Sequence, residues 1–593
     1  MRNLVTIICL SFSINLVAQL SVRNDSYIFV NDEIVFVEDY INLEESTTKL
    51  YLRNEGQLVQ GSGSTGNSGI GELSVQQDGT VNQWSYNYWC SPVGNVDLNS
   101  TLNRDFRVNL IDDPLIITPS LIDSQDAVFT TSYNGISSPL TISDSWLWTY
   151  VTSSNYSDWE YVGPTGNVKT GLGFTMKGMG TGVFGNQLYE FRGKPNNGDI
   201  LNTVAPAKWT LVGNPYPSAI DALDLIHDPQ NTSSINGVLY YWEQQPGNGS
   251  TGSHYIADYV GGYASYTISA GGVESFTKAT FITYLENGLP SALPGTISPT
   301  TKRARRYIPI GQGFMVRGVA NSNLLLSNNH RVYYKESSAD SEFFRSSNIN
   351  SNNSADTYDA EASFYVPEDY KRFRVYVDFN DIYTRELLMN FHATATSGFD
   401  YGLEAVSPEG VASDAYWIGE NIPYTIQAFN FESSLKIPLV INLNEAKSIR
   451  IRISDIQNFD VTQPIYIHDI ENGIYLDLRT QDFEINLPQG NYSNRFEVTF
   501  EAETLNITEV EINNLNIFQN NNEFELTVLN PTLLDVKGIS LYDINGKQVF
   551  NYSNLELQNK YRFSTKSLSD GVYVASLDLG NAKVITKKVI VKN

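Results

Sequence analysis

Almost nowhere in this chain do apolar residues recur with the period of a helix. Short runs alternate with a period of two and stop at Gly, Asn, Pro or Ser, the pattern of strands with one buried face. Ile449, Ile451 and Ile453 alternate with Arg450 and Arg452, and Phe524, Leu526 and Val528 with Glu523, Glu525 and Thr527. The pattern predicts an all-β protein of several β-sandwich or β-roll modules in tandem, ending in a small Ig-like β-sandwich. Helix is expected only in short pieces such as residues 219–226, after a Pro-rich turn. With 593 residues, 12% of them aromatic and 18% charged, the chain holds enough apolar material for several cores.

Punctuation divides it further. Residues 1–18 read as a secretory leader, with Arg2, an apolar run over 4–17 and Ala18 before the cut. No later stretch reaches the length of a membrane-spanning helix. Residues 19–83 carry short, evenly spaced strands that resemble stacked β-turn coils or a small sandwich. Gly171-Leu172-Gly173-Phe174 reappears 140 positions on as Gly311-Gln312-Gly313-Phe314, and Trp84 with Pro92 reappears 125 positions on as Trp209 with Pro217. Two diverged modules are therefore expected, at 84–195 and 196–335. A Ser/Asn-rich linker at 336–358 follows, in which Phe343 and Phe344 suggest partial packing. A β-sandwich is expected over 359–508 and a last domain over 509–593.

Chemistry has no evident carrier. Lys and Arg number 39 against 65 Asp and Glu, a net charge of −26, and that field repels a phosphate backbone, so no nucleic-acid partner is expected. Cys9 lies in the leader, which leaves Cys90, read as a half-buried small residue, and no disulfide or Cys-based zinc site. Asp97, Asn99 and Asp105 supply oxygens without EF-hand spacing, so no metal and no cofactor are expected. The GxGF segments are not followed by a helix and are no phosphate loop. No nucleophile elbow occurs, and no catalytic residue is assigned. Asp221 and Asp224 read as helix-start charges. Lys302, Arg303, Arg305 and Arg306 read as a solvated loop, with an anion contact or a protease-sensitive loop as the sharper alternatives. Trp146, Trp148, Trp159, Tyr240, Tyr241 and Trp242 read mostly as core or strand-pairing aromatics. Among them Tyr240, Tyr241 and Trp242, beside the loop 247–252, are the candidate ligand contacts.

The last 84 residues carry the most specific motifs. Leu541 to Val549 is strand, Asn545-Gly546 turn and strand, with Lys547 opening the return. Leu568-Ser569-Asp570-Gly571-Val572-Tyr573 opens another strand, and a final one contains Lys587 and Lys588. In this order, at the chain end, they resemble the type A C-terminal sorting domain of the type IX secretion system of Bacteroidetes. The usual Pro-Asn-Pro opening is replaced by Ile517-Phe518-Gln519-Asn520-Asn521. The tandem modules resemble those of surface proteins exported by the same system. The resemblance implies handling by the type IX machinery, removal of the sorting domain and delivery to the cell surface or medium. The expected role is a non-enzymatic adhesin or glycan-binding protein whose partner is a surface polysaccharide or extracellular glycan. A secreted carbohydrate-active hydrolase and a structural surface spacer are the alternatives.

Overall fold

A computed structural model of the protein describes residues 19–63, 65–115, 121–180, 186–245, 252–291, 296–297, 302–344, 366–408, 410–502, 515–579 and 584–593. They fall into two compact units, one of Met1–Ser154, Asp158–Ser234 and Arg305–Arg345, the other of Asn155–Ser157, Ile235–Ala304 and Ser346–Asn593. The second unit therefore takes in residues 235–304, which the sequence pattern placed inside a module ending at 335.

The first unit begins with β1 (Leu20–Val22), β2 (Tyr27–Asn31), β3 (Ile34–Val37), β4 (Ile41–Leu43), β5 (Lys49–Arg53), β6 (Gln57–Gln60), β7 (Ser68–Gly69) and β8 (Glu72–Thr80). All their mutual pairings are parallel: β1 with β4 and β4 with β7, β2 with β5 and β5 with β8, β3 with β6. The chain thus winds as stacked coils, the first of the two forms read for this segment. Inward positions stack apolar on apolar, Val30 on Leu52 on Val75. The corners need left-handed backbone and use Asn and Asp for it, with Asn24, Asp25, Asp32 and Asn54 at φ 50 to 63°. Outward from β5 and β8 lies a buried charge network. Arg53 donates to Glu190 at 3.0 Å, and Arg192 Nε donates to Glu190 at 2.7 Å and approaches Asp112 at 3.0 Å.

Both GxGF strands lie in this unit. Phe174–Lys177 pairs antiparallel with Tyr86–Trp89, setting Phe174 opposite Trp89, and Gly313–Arg317 pairs with Trp209–Gly213, setting Phe314 opposite Val212. The turns ahead of the two strands bridge crosswise, Leu172 to Val212 and Gln312 to Trp89. Gly171 and Gly311 take φ +84° and +80°, which is why glycine stands there. Phe343 packs on Trp89 at 5.1 Å, and Cys90 is fully buried rather than half-buried, with its thiol pKa pushed up by that burial. The short helix spans Ala222–His227. Asp221 caps it by accepting from Leu223 N at 2.9 Å, while residues 219–221 are strand.

In the second unit, residues 371–499 form one long sheet. It curls until Phe483 near one edge meets Phe496 near the other, rings 5.9 Å apart, so a rolled sheet stands where a two-sheet sandwich was expected. Phe373, Val375, Val377 and Phe379 face its core. Alternate residues Arg372 and Arg374 lie on the opposite face, also fully buried, where they donate to Glu274 O and Phe276 O at 2.8 Å. Seven strands follow, in sheets of three and four, around a separate core of Leu526, Val528, Leu541, Ala575 and Leu577. Phe524 stands outside the alternation at φ +56°, in the turn before its strand.

One carboxyl of this unit makes stability depend on pH. Glu404 is buried and accepts from Ala428 N at 3.2 Å and Asp400 N at 3.1 Å. Burial, reinforced by the charges of Asp400 and Glu420, raises its pKa from 4.5 to about 7. The folded state thus holds a proton that the unfolded chain releases. The resulting stability is present in full below pH 4.5 and is lost as pH rises through 7. The expected result is a Glu404→Gln protein whose stability relative to wild type improves by about 3 kcal/mol over that interval, read from denaturation curves.

Candidate functional site

The residues expected to touch a ligand are turned into the protein. Tyr240 and Tyr241 are 0% and 3% exposed. Strand Leu239–Gln244 is covered on both faces, and Tyr240 Oη is held between Asn236 Nδ2 at 2.9 Å and Val406 O at 3.2 Å. Trp242 is half-buried, its ring 5.2 Å from that of Tyr263. Loop 246–251 beside it lies outside the described residues, as does Ala18.

The structure instead gathers aromatics on the first unit, around a four-stranded sheet. Its strands run in the order Glu160–Tyr161, Trp148–Thr149, Phe174–Lys177, Tyr86–Trp89. Alternation sends Trp89, Phe174 and Met176 into the core. On the other face, Tyr161, Trp148, Thr175 and Tyr88 stand side by side across the four strands, with Lys177 beside Tyr86 in the next row. Tyr88 is buried and forms a floor. Trp146, Trp148 and Trp159 are half-buried above it, and Tyr133 and Tyr161 stand out at 61% and 53% exposure. The rings meet edge-on or tilted: Trp148 with Tyr161 at 5.2 Å, Trp159 with Tyr150 at 4.7 Å, Trp146 with Tyr133 at 5.5 Å. Such contacts fix the rings while leaving flat apolar surface at the rim. Lys177 lies beneath, its ammonium 3.9 Å from the Trp146 centroid and 4.8 Å from that of Tyr86. Burial lowers its pKa to about 6, against the pull of the two ring faces. Asp144 and Asp158 border the patch and raise Tyr161 and Tyr150 through their charges, after burial, the main cause.

Alternation in the sequence singles out Trp146, Trp148 and Trp159 without separating them from Tyr240 to Trp242. The signal that distinguishes the groups is spacing. Trp148 lies on a two-residue strand, Trp146 ends a one-turn 3-10 helix and Trp159 precedes another two-residue strand, whereas Tyr240 lies within a six-residue strand.

The basic cluster is not simply solvated. Arg306 grips Asp221 with Nε and Nη2, at 2.9 and 2.7 Å, Arg305 pairs with Asp340 at 2.5 Å, and Arg303 is buried. Asp97 pairs with Arg104 at 3.5 Å. Two carboxylates do converge, Glu190 and Asp112 on Arg192 Nε. Glu190 is fully buried and matched by two guanidinium groups, an arrangement that neutralises charge rather than presenting it to a substrate. Among the described residues no helix is long and apolar enough to cross a membrane, and no group of three or more His, Cys, Asp or Glu is arranged to hold a metal ion.

At the chain end the sorting motifs fall on the seven-stranded sandwich. Gly546, at φ +80°, closes the turn from Asp543, whose side chain accepts from Asn545 N and Lys547 N at 2.9 Å; Asn545 itself keeps a negative φ, so one left-handed residue suffices. Gly571 starts the next strand opposite Val591, and Tyr573, with its ring in the core, donates to Ser569 O at 2.9 Å. Lys587 and Lys588 are exposed on the last strand, opposite Ala575 and Val574.

A β-rich chain ending in such a tail is a cargo of the type IX secretion system of Bacteroidetes. Residues 520–592 match the secretion system C-terminal sorting domain, which places the protein at the cell surface or in the medium. Residues 126–500, well over half of the chain, match a domain of unknown function, DUF8693, and the protein belongs to that family. No curated protein matches. Two solved structures are distantly similar, each at 10% identity. One, "Biofilm associated protein - BSP domain", has a TM-score of 0.14 and aligns over 67% of this chain; the chain spans only 62% of its length. The other, "Tp47, the 47-Kilodalton Lipoprotein of Treponema pallidum", has a TM-score of 0.11 and aligns over 63% of this chain and 92% of its own length. Scores this low say nothing of fold or role.

Proposed function

We propose that the protein is a non-enzymatic, glycan-binding surface protein whose binding surface is the aromatic patch around Trp146, Trp148, Trp159 and Tyr161. The carrying observation is that three half-buried indoles and two exposed phenols are held together on one sheet face. Rigid flat rings stack on sugar rings at little entropic cost. The acidic chain favours a neutral or mildly cationic polysaccharide over a polyanion. On this reading residues 1–18 are a leader removed at the inner membrane, and the sorting domain is removed outside.

The two GxGF segments are read as diverged copies sharing a dyad. On that reading the crosswise bridges support Trp89 as the counterpart of Val212, with Cys90 the counterpart of Gly213 and Pro92 of Pro215, two positions away from the Trp84/Trp209 alignment. Cys90 Cβ lies only 2.5 Å from where a Cβ on Gly213 would stand, so just one member of that pair can carry a side chain.

Binding to a glycan panel tests the assignment. Trp148→Ala and Trp159→Ala are each expected to weaken retention about ten-fold or more, whereas Trp242→Ala leaves it unchanged. Retention indifferent to Trp148 and Trp159 removes the site. Steady release of reducing sugar replaces the binding reading with the hydrolase.

A further inference from the structure

Among the described residues, the stacked coils at the start of the first unit have an open end. Among the described residues β1, β2 and β3 pair only with the coil above them, so each presents a row of backbone N–H and C=O groups at the end of the stack. Solenoids ordinarily close such an end with polar capping residues, and exposed edges are usually blunted by Lys, Pro or a bulge. Here the strands read Tyr-Ile-Phe-Val-Asn and Ile-Val-Phe-Val with none of these. Their outward positions are Tyr27, Phe29, Ile34 and Phe36, which are 58%, 40%, 41% and 59% exposed. In the next coil the same positions are Lys49, Tyr51, Gln57 and Val59, and Tyr51 and Val59 are buried. Exposed apolar surface is thus confined to the coil whose edges are open.

We propose that this end pairs with the same end of a second copy of the chain. The order of strands around one turn is what favours this occupant. A two-fold axis perpendicular to the stack and passing through β2 reverses the direction of travel. It lays β2 antiparallel to its own copy, β1 against the partner's β3, and β3 against the partner's β1. The lengths agree, with β2 of five residues meeting itself and β1 of three meeting β3 of four. All three open edges close at once, and the contact is isologous, so it stops at two copies. The corners carry Arg23 with Asp25, Asp32 with Glu33, and Glu38 with Asp39, acidic on balance, so pairing is expected to tighten as salt screens the net like charge of the two copies.

Sedimentation analysis of the exported protein, recovered from the cell surface or medium, decides the matter. The expected result is a reversible dimer. Phe29→Lys with Phe36→Lys raises its dissociation constant about ten-fold or more. The variant melts with the wild type only at concentrations where both are monomers, and below it where the wild type is dimeric. Trp148→Ala leaves the dimer intact, which separates this pairing from glycan binding. As a positive control, Phe29→Cys forms a covalent dimer on oxidation, since Cys90 is fully buried and does not compete. A monomer at every concentration, a dimer indifferent to the double substitution, a ladder of higher oligomers, or a Phe29→Cys protein that stays uncrosslinked would each overturn the pairing.

Discussion

A chain lacking residues 509–593 is expected to cross the inner membrane and stop in the periplasm, with its surface signal falling to background while the intact chain is exported. The reason is structural. The last seven strands enclose a core of their own, from Leu515 to Val591, so the sorting domain presents its address as a folded object. Point changes refine the test. Tyr573→Ala empties a core site and breaks the bond to Ser569 O, and is expected to lower export by unfolding the tail. Lys588→Glu alters an exposed side chain opposite Val574 and leaves the core intact, so any loss of export reports recognition itself. Cell fractionation with surface protease digestion reads all three. Arrival of the truncated chain at the surface would remove the sorting tail from any role in export.

The tail was legible because its signals are local. An Asn-Gly turn, a strand after Asp570-Gly571 and a Lys-rich last strand each lie within about ten residues, and pairing between sequence neighbours follows from turn chemistry. The coils of residues 20–80 were half legible. Short strands at even spacing are visible, but a parallel pairing joins residues more than twenty positions apart, such as Tyr27 with Lys49, and no turn residue announces it. The aromatic patch was less legible still. Alternation tells which residues share a face, but not whether that face is covered. Tyr240 and Trp148 look alike in sequence, yet the first is fully buried and the second only half-buried. The charges at Arg372 and Arg374 show the same limit. Alternation with Phe373 and Val375 marks them as outward, and they are outward, but strand Glu274–Thr277 buries them, almost one hundred positions away in sequence.

Phe174→Ala and Phe314→Ala are each expected to cost about 3–5 kcal/mol, because both rings are fully buried and truncation leaves a cavity as well as lost apolar contact. Their closeness in cost is the informative part. Phe174 stands opposite Trp89 with its ring tilted against that of Phe106 at 5.6 Å; Phe314 stands opposite Val212. If the two strands are copies about a dyad, each cavity opens beside one of the crosswise bridges, Leu172 to Val212 or Gln312 to Trp89. Damage on one side then reaches the other, and the double variant should depart from the sum of the singles, as neighbouring sites do. Hydrogen exchange should show protection lost across residues 19–154, 158–234 and 305–344 together, with the curled sheet of 371–499 unaffected. Simple additivity with protection lost around one phenylalanine only would make the two segments separate modules, joined by sequence likeness but not by a shared fold.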